Sequence, residues 1–305
     1  MKATAESVTE GVDLSNKHAV VTGATSGLGR ECARVFALRG AHVVIPCRNA
    51  EKGAATVADF QASIGAVAAA RVEPRPCDLT DMPSVLALAR GLPRVDLLML
   101  NAGVFGLGFE VTAGGCERSY AANYLGHFLL VHQLAADGRL ANDARIVSTL
   151  SEGAYLHPLS RSRPEMLENP GRGSYSRSRS SPDSKVMLAL FSVAFSQRAE
   201  AAGLGGVTFN AALPPMTLTD NVNQVGALGR ALSSVLAPVL FKPVEEGAAV
   251  LAWVATSPEA GAVSGSAFTH HFKEKKLPRK CVDPIAAQQL FEASEAALGL
   301  SPRAV

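Results

Sequence analysis

The residues with the clearest chemical potential lie in the run HAVVTGATSGLG, residues 18–29, where an apolar stretch passes through a glycine turn directly into a helix. Unpaired amides at such a helix start can face a pyrophosphate, and the helix dipole favours the negative charge. Gly23, Thr25, Ser26, Gly27, Leu28 and Gly29 are therefore the candidate phosphate contacts, with Thr22 leading into the turn. The next apolar run ends in Pro46-Cys47-Arg48. A carboxylate there would pair with ribose hydroxyls and repel a 2′-phosphate, whereas a guanidinium can hold that phosphate in a forked geometry. One such contact is worth roughly 4 kcal/mol at an effective dielectric near 20, so the pattern predicts NADP(H) as the dinucleotide. Asp78-Leu79 and Asn101-Ala102-Gly103 also follow apolar runs, at the strand ends where open α/β sheets take their ligands. Asp78 is placed for an adenine amino group and Asn101 for the ribose side, although Asp, Asn and Gly serve turns as readily.

Positioning these groups requires a sheet. Strand-length apolar runs alternate with helix-length periodic segments from residue 18 to about residue 269, the pattern of a parallel sheet covered on both faces. Strands are expected at 18–22, 42–46, 95–100, 145–150, 207–212 and 266–269, with an irregular one near 71–75 where Pro74 interrupts. Helices are expected at 27–39, 84–90, 117–136, 183–202 and 245–255. The predicted fold is a doubly wound α/β sheet of the Rossmann type with seven parallel strands in a single domain, residues 17–305, after an N-terminal segment 1–16. An insertion loop spans 155–182, with a Ser- and Arg-rich stretch that reads as a surface loop or as a lid. A second lid covers 215–243.

Composition narrows the function. A net charge of +2 supplies no field for nucleic acid, and 48% hydrophobic residues suffice for one full core. Five cysteines, Cys32, Cys47, Cys77, Cys116 and Cys281, show no paired spacing, which speaks against disulfides and a metal site and for a reducing cytoplasm. No apolar run reaches membrane-spanning length, and the start lacks a secretion signal. The expected partner is a small molecule. Leu228–Leu240 is apolar at helical spacing and suits core or dimer contact. His270-His271 lacks a third ligand, and Trp253 suits the core.

Taken together, TGATSGLG, VVIPCRN, CDLTD, NAGV, ANYLGHF, ARIVSTLS, SKVMLALF and ALPPMTLT resemble the short-chain dehydrogenase/reductases, in particular their retinol-dehydrogenase-like and WW-domain-oxidoreductase-like branch. The resemblance implies an NADP-dependent oxidoreductase with Asn123, Ser151 and Lys185 in catalytic roles, and Pro214, Thr217 and Thr219 near the cofactor. It also implies a homodimer or homotetramer. Such a lysine binds the nicotinamide ribose and lowers the pKa of a catalytic tyrosine.

That tyrosine is missing: four residues before Lys185, one helical turn back, stands Ser181. Ser181-Pro182-Asp183 reads as a helix opening with Ser181 as N-cap, and serine is short for a carbonyl placed for tyrosine. Tyr175, Tyr155 or a water could fill the gap. A Tyr175–Arg179 register is rejected, because Pro182 would then break the helix. Pro215 replaces a family glycine. Two functions compete. One is an NADPH-dependent reductase of an apolar carbonyl, imine or enone with an altered proton donor. The other is a non-redox cyclase or isomerase that keeps the nucleotide as part of its pocket; a regulatory sensor ranks third.

Overall fold

A computed structural model of the chain describes residues 2–151, 156–217 and 241–300. Seven strands form one parallel sheet: β1 (His18–Val21), β2 (His42–Cys47), β3 (Val72–Pro76), β4 (Val95–Leu100), β5 (Leu140–Thr149), β6 (Thr208–Leu213) and β7 (Ala267–Thr269). Their order is β3-β2-β1-β4-β5-β6-β7, so the chain reverses direction across the sheet between β1 and β4 and leaves a crevice at their C-terminal ends. The strands are short apolar runs because helices cover both faces; all six residues of β6 are buried. Each expected strand is present. β5 begins earlier than expected, at Leu140, because its register against β4 shifts between Val95↔Leu140 and Leu97↔Arg145.

The principal helices are α1 (Ala5–Val8), α2 (Gly27–Leu38), α3 (Ala50–Ile64), α4 (Met82–Gly91), α5 (Gly126–Ala136), α6 (Ser180–Ala199), α7 (Val244–Thr256) and α8 (Pro284–Ala297). On one face α4, α5, α6 and α8 enclose a core whose centre is aromatic, with the Phe128 ring 4.9 Å from Phe191 and 5.0 Å from Phe291. On the other, α2 buries Val35 and Phe36 against β1 and β2, while α7 buries Val250 and Leu251 beside α2 and over β5 and β6. Residues 2–16 fold back onto this second layer: Thr4 and Ser7 form a capping box on α1, and Glu6 pairs with Arg34 of α2 at 2.8 Å.

Two expectations are corrected. The helix at 117–136 is not uniform, since a π turn at Ala121–Leu125 separates a short helix from α5. Ser181 is not an N-cap: α6 starts at Ser180 because Ser180 N already donates to Ser176 O at 2.9 Å, which leaves Ser181 and Pro182 inside the first turn. Proline is tolerated there.

The insertion is more than a surface loop, for Arg163 and Met166 are buried. Its anchor is Asp183 of α6, wholly buried, whose carboxylate accepts from Arg161 N (2.9 Å) and Tyr120 Oη (3.1 Å) and faces Arg163 and Arg179, each at 3.5 Å. A buried carboxylate needs such partners, because removing one of them typically costs about 3–5 kcal/mol. Arg163 and Arg179 are thereby spent on the fold.

Candidate active site

The glycine turn closes over the crevice between β1 and β4. Gly23 sits at φ +67°, and a Cβ on it would stand 2.8 Å from Ala102 Cα, so the turn and the Asn101-Ala102-Gly103 loop pack backbone to backbone. A Cβ on Gly29 would come within 2.3 Å of Asn101 Nδ2. Thr22 ties the two together: its buried hydroxyl accepts from Asn101 N (2.9 Å) and Ala102 N (3.0 Å). Asn101 in turn donates from Nδ2 to Thr22 O at 3.0 Å and accepts at Oδ1 from Thr149 at 3.2 Å. Its side chain therefore holds the turn, while its backbone edges the cavity.

That cavity, about 690 Å³, runs from the ends of β2 and β3 past the turn to the start of α6. It brings together Gly23, Thr25, Ser26, Gly27, Leu28, Arg48, Asp78, Leu79, Asn101, Ala102, Gly103, Ser181 and Lys185 of the predicted set. Arg48 is exposed and, among the described residues, makes no ion pair; Lys52, one turn into α3, lies beside it in the same lining. Asp78 spends Oδ1 on Thr80 N (2.9 Å) and Thr80 Oγ1 (2.8 Å) and keeps Oδ2 available. Asn123, buried in the π turn, stands behind the lining: Oδ1 accepts from Val104 N (2.7 Å), while Nδ2 donates to Val104 O and to Ser184 Oγ, both at 3.0 Å. Its Oδ1 is 3.5 Å, and Lys185 Nζ 3.7 Å, from where a Cβ on Gly103 would be. Burial depresses the Lys185 ammonium to about 8.

Other predicted residues stand apart from the cavity. Ser151 is exposed just beyond the end of β5. Tyr175 donates its hydroxyl to Leu107 O at 2.7 Å and packs its ring against Phe109, outside the cavity lining. Thr217 donates to Pro215 O at 2.9 Å and crowds the start of α7 at Gly247; Pro214 leads into that turn. Thr219, Tyr155 and Leu228–Leu240 lie outside the described residues.

Sequence reasoning missed Lys52, Phe105, Thr149 and Ala122 in the lining and, behind it, His127. His127, one helical turn after Asn123, is wholly buried, with Nδ1 3.2 Å from Asn123 O and Nε2 2.9 Å from Thr22 Oγ1. Counting protons assigns the tautomer. The Asn123 carbonyl can only accept, so Nδ1 carries the hydrogen and Nε2 is left as an acceptor; the Thr22 hydroxyl, which accepts from Asn101 N and Ala102 N, turns its single proton to Nε2 or to Met99 O, 3.0 Å away. Burial pushes the His127 pKa down to about 3, so the ring stays neutral. The helical spacing of Asn123 and His127 in NYLGH was the available signal.

The glycine cradle, Arg48 and Lys52 without ion pairs among the described residues, and Asp78 Oδ2 without a hydrogen bond among them fit a nicotinamide dinucleotide. Among the described residues no His, Cys, Asp and Glu cluster could hold a metal ion. Comparison with known proteins agrees. The short chain dehydrogenase family model matches residues 17–161. WW domain-containing oxidoreductase of Danio rerio is 34% identical over 299 residues, covering 94% of this chain and 70% of the relative. Retinol dehydrogenase 11 of Mus musculus is 31% identical over 299 residues, covering 96% and 89%. The crystal structure of an uncharacterised protein from Mycobacterium Paratuberculosis superposes with a TM-score of 0.76 at 26% identity, covering 99% of this chain and 100% of that one. The chain belongs to the short-chain dehydrogenase family and is an oxidoreductase that uses a nicotinamide cofactor. The expected branch resemblance and the Rossmann sheet are both borne out.

Proposed function

We propose that this protein is an NADPH-dependent reductase of apolar carbonyl, imine or enone compounds, working with Ser181 at the position where the family resemblance implies a catalytic tyrosine. The observation that carries the coenzyme choice is Arg48, exposed and unpaired among the described residues at the end of β2, with Lys52 beside it. Bound coenzyme supplies a hydride. The chain's own residues then do the remaining work. Amides of the turn from Gly23 to Gly29 take the pyrophosphate, Arg48 and Lys52 the 2′-phosphate, and Asp78 Oδ2 the adenine amino group. Lys185 reaches the nicotinamide ribose, and Asn123, whose carboxamide is held by Val104 and Ser184, fixes the loop opposite it. Phe105 on the lining and the retinol dehydrogenase relative both favour an apolar substrate.

Cytoplasmic residence is part of this reading, supported by five cysteines that are all free and buried. No helix among the described residues is long and apolar enough to cross a membrane. The test is titration with both coenzymes, followed by turnover with 4-deuterated NADPH. Tighter binding of NADPH and deuterium on product carbon are expected. A preference for NADH overturns the coenzyme assignment, and product formed without deuterium overturns the reductase.

A further inference from the structure

Reduction of a carbonyl consumes a proton as well as a hydride, and the cleft can be searched for its source. On the β2–β3 side of the glycine turn, Arg48, Lys52, Asp59 and Asp78 line the cavity together with Cys47 and Cys77. On the other side the lining is Gly103, Val104, Phe105, Ala122, Thr149, Ser181 and Lys185, of which Lys185 alone ionises. Among the described residues the nearby phenols are committed elsewhere: Tyr120 donates to Asp183 and Tyr175 to Leu107 O. The Asn123 amide donates to Val104 O and Ser184. Ser181 can relay a proton but has no net proton to give near neutrality.

We propose that Lys185 is itself the general acid of this cleft, its ammonium group handing the proton to the substrate oxygen in place of a phenol. The inference rests on the reductase reading above. Among the described residues Lys185 Nζ has no hydrogen-bond partner, and it stands 3.7 Å from where a Cβ on Gly103 would be, facing the cavity that Ser181 also lines. No described carboxylate faces it. Asp183, on the same helix, is bound to Arg161 N, Tyr120, Arg163 and Arg179; Glu117 caps Ser119 and Tyr120; and His127, on α5, is neutral. The depressed pKa of about 8 leaves Lys185 mostly protonated at pH 7 and a stronger acid than an exposed lysine near 10.4. In the step, the hydride from NADPH bonds to the carbonyl carbon with its electron pair, leaving NADP+. The C=O π pair moves to oxygen and takes a proton from Lys185 Nζ; the N–H bond breaks, and solvent reprotonates the amine.

A substrate that needs no proton separates this role from cofactor holding. Hydride addition to a 2-methyl-3,4-dihydroisoquinolinium ion gives a neutral amine directly, whereas 1-tetralone must be protonated. For Lys185→Arg, which keeps the charge but cannot act as an acid near neutrality, any loss from altered coenzyme holding is shared by both substrates, and ketone reduction should fall about 30-fold or more beyond the fall in iminium reduction. Independently of any variant, competitive acetylation of the coenzyme-free wild-type chain, read by mass spectrometry, should give Lys185 a midpoint near pH 8. Equal loss on both substrates, an unaffected ketone rate, or a midpoint near 10 overturns the proposal. If wild type delivers deuterium to neither probe, the reductase reading itself falls and the acid role falls with it; deuterium on the iminium product alone upholds the hydride chemistry and isolates the failure to the acid.

Discussion

Two buried groups near the site should give this fold opposing pH dependences that nearly cancel. His127 is wholly buried with its pKa lowered to about 3, while Glu117, equally buried, is raised to about 7 by desolvation that outweighs its bonds to Ser119 and Tyr120. Unfolded, the histidine titrates near 6.5 and binds protons the fold refuses, so its contribution to stability is complete above that value and is lost as pH falls toward 3. The glutamic acid runs the other way: the fold keeps its proton up to about pH 7, so its contribution is present below 4.5 and is lost as pH rises through 7. Between pH 7.5 and pH 5 the linkage relation gives a loss of about 2 kcal/mol from His127 and a gain of about 2 kcal/mol from Glu117. Urea unfolding followed by circular dichroism should therefore show His127→Gln becoming more stable, relative to wild type, as pH falls over that interval, and Glu117→Gln becoming less stable. With an m-value of about 3 kcal/mol/M each midpoint moves by about 0.7 M. Other ionising groups are common to all three proteins and drop out of the differences. Parallel curves for His127→Gln and wild type would refute the buried neutral imidazole, and with it the hydrogen-bond chain from Thr22 to Asn123.

Arg48→Glu should raise the Kd for NADPH by about 10- to 100-fold and leave NADH within about threefold, measured by fluorescence titration; equal losses would take the 2′-phosphate away from Arg48. Gly29→Ala drives a methyl group to 2.3 Å from Asn101 Nδ2 and 2.7 Å from Gly23 O, so coenzyme affinity should drop by about tenfold or more, and an unchanged Kd would show that the turn yields at no cost. Asp183→Ala strands the buried Arg163 and should cost about 3–5 kcal/mol while opening residues 160–179 to limited proteolysis; wild-type resistance to protease would mean that the insertion is held by other contacts.

The sheet was legible because both of its faces are covered, so each strand stands out as a bare apolar run, down to β3, which Pro74 weakens without abolishing. The dinucleotide turn was legible because glycine is demanded there by contact with backbone, a constraint that leaves its mark on residue type. Less visible were α3 and α8. The first is rich in alanine with few apolar positions, and the second buries only one stripe, with Leu290 and Phe291 against α6. The π turn carries no compositional signal, since it differs from α-helix by one residue per hydrogen-bonded ring. For His127 the local spacing from Asn123 marked only half of its setting; the other half is a partner 105 positions away, Thr22, and no local pattern encodes that pairing.

The same logic applies to the turn that holds Ser181, whose surroundings could not be read from the sequence. Asp183 and Lys185 are two residues apart on α6, about 200° around the helix, so one faces the insertion while the other faces the cavity. Whatever fixes Asp183 therefore fixes the rotation of the helix and the direction of the lysine. Arg163 and Arg179, which on composition alone suit a surface loop or a lid, act on the far side of that helix instead. The arginine-rich insertion thus acts on the cleft indirectly, by holding in register the first two turns of α6, which carry Ser181 and Lys185, and no reading of the loop by itself could have found that connection.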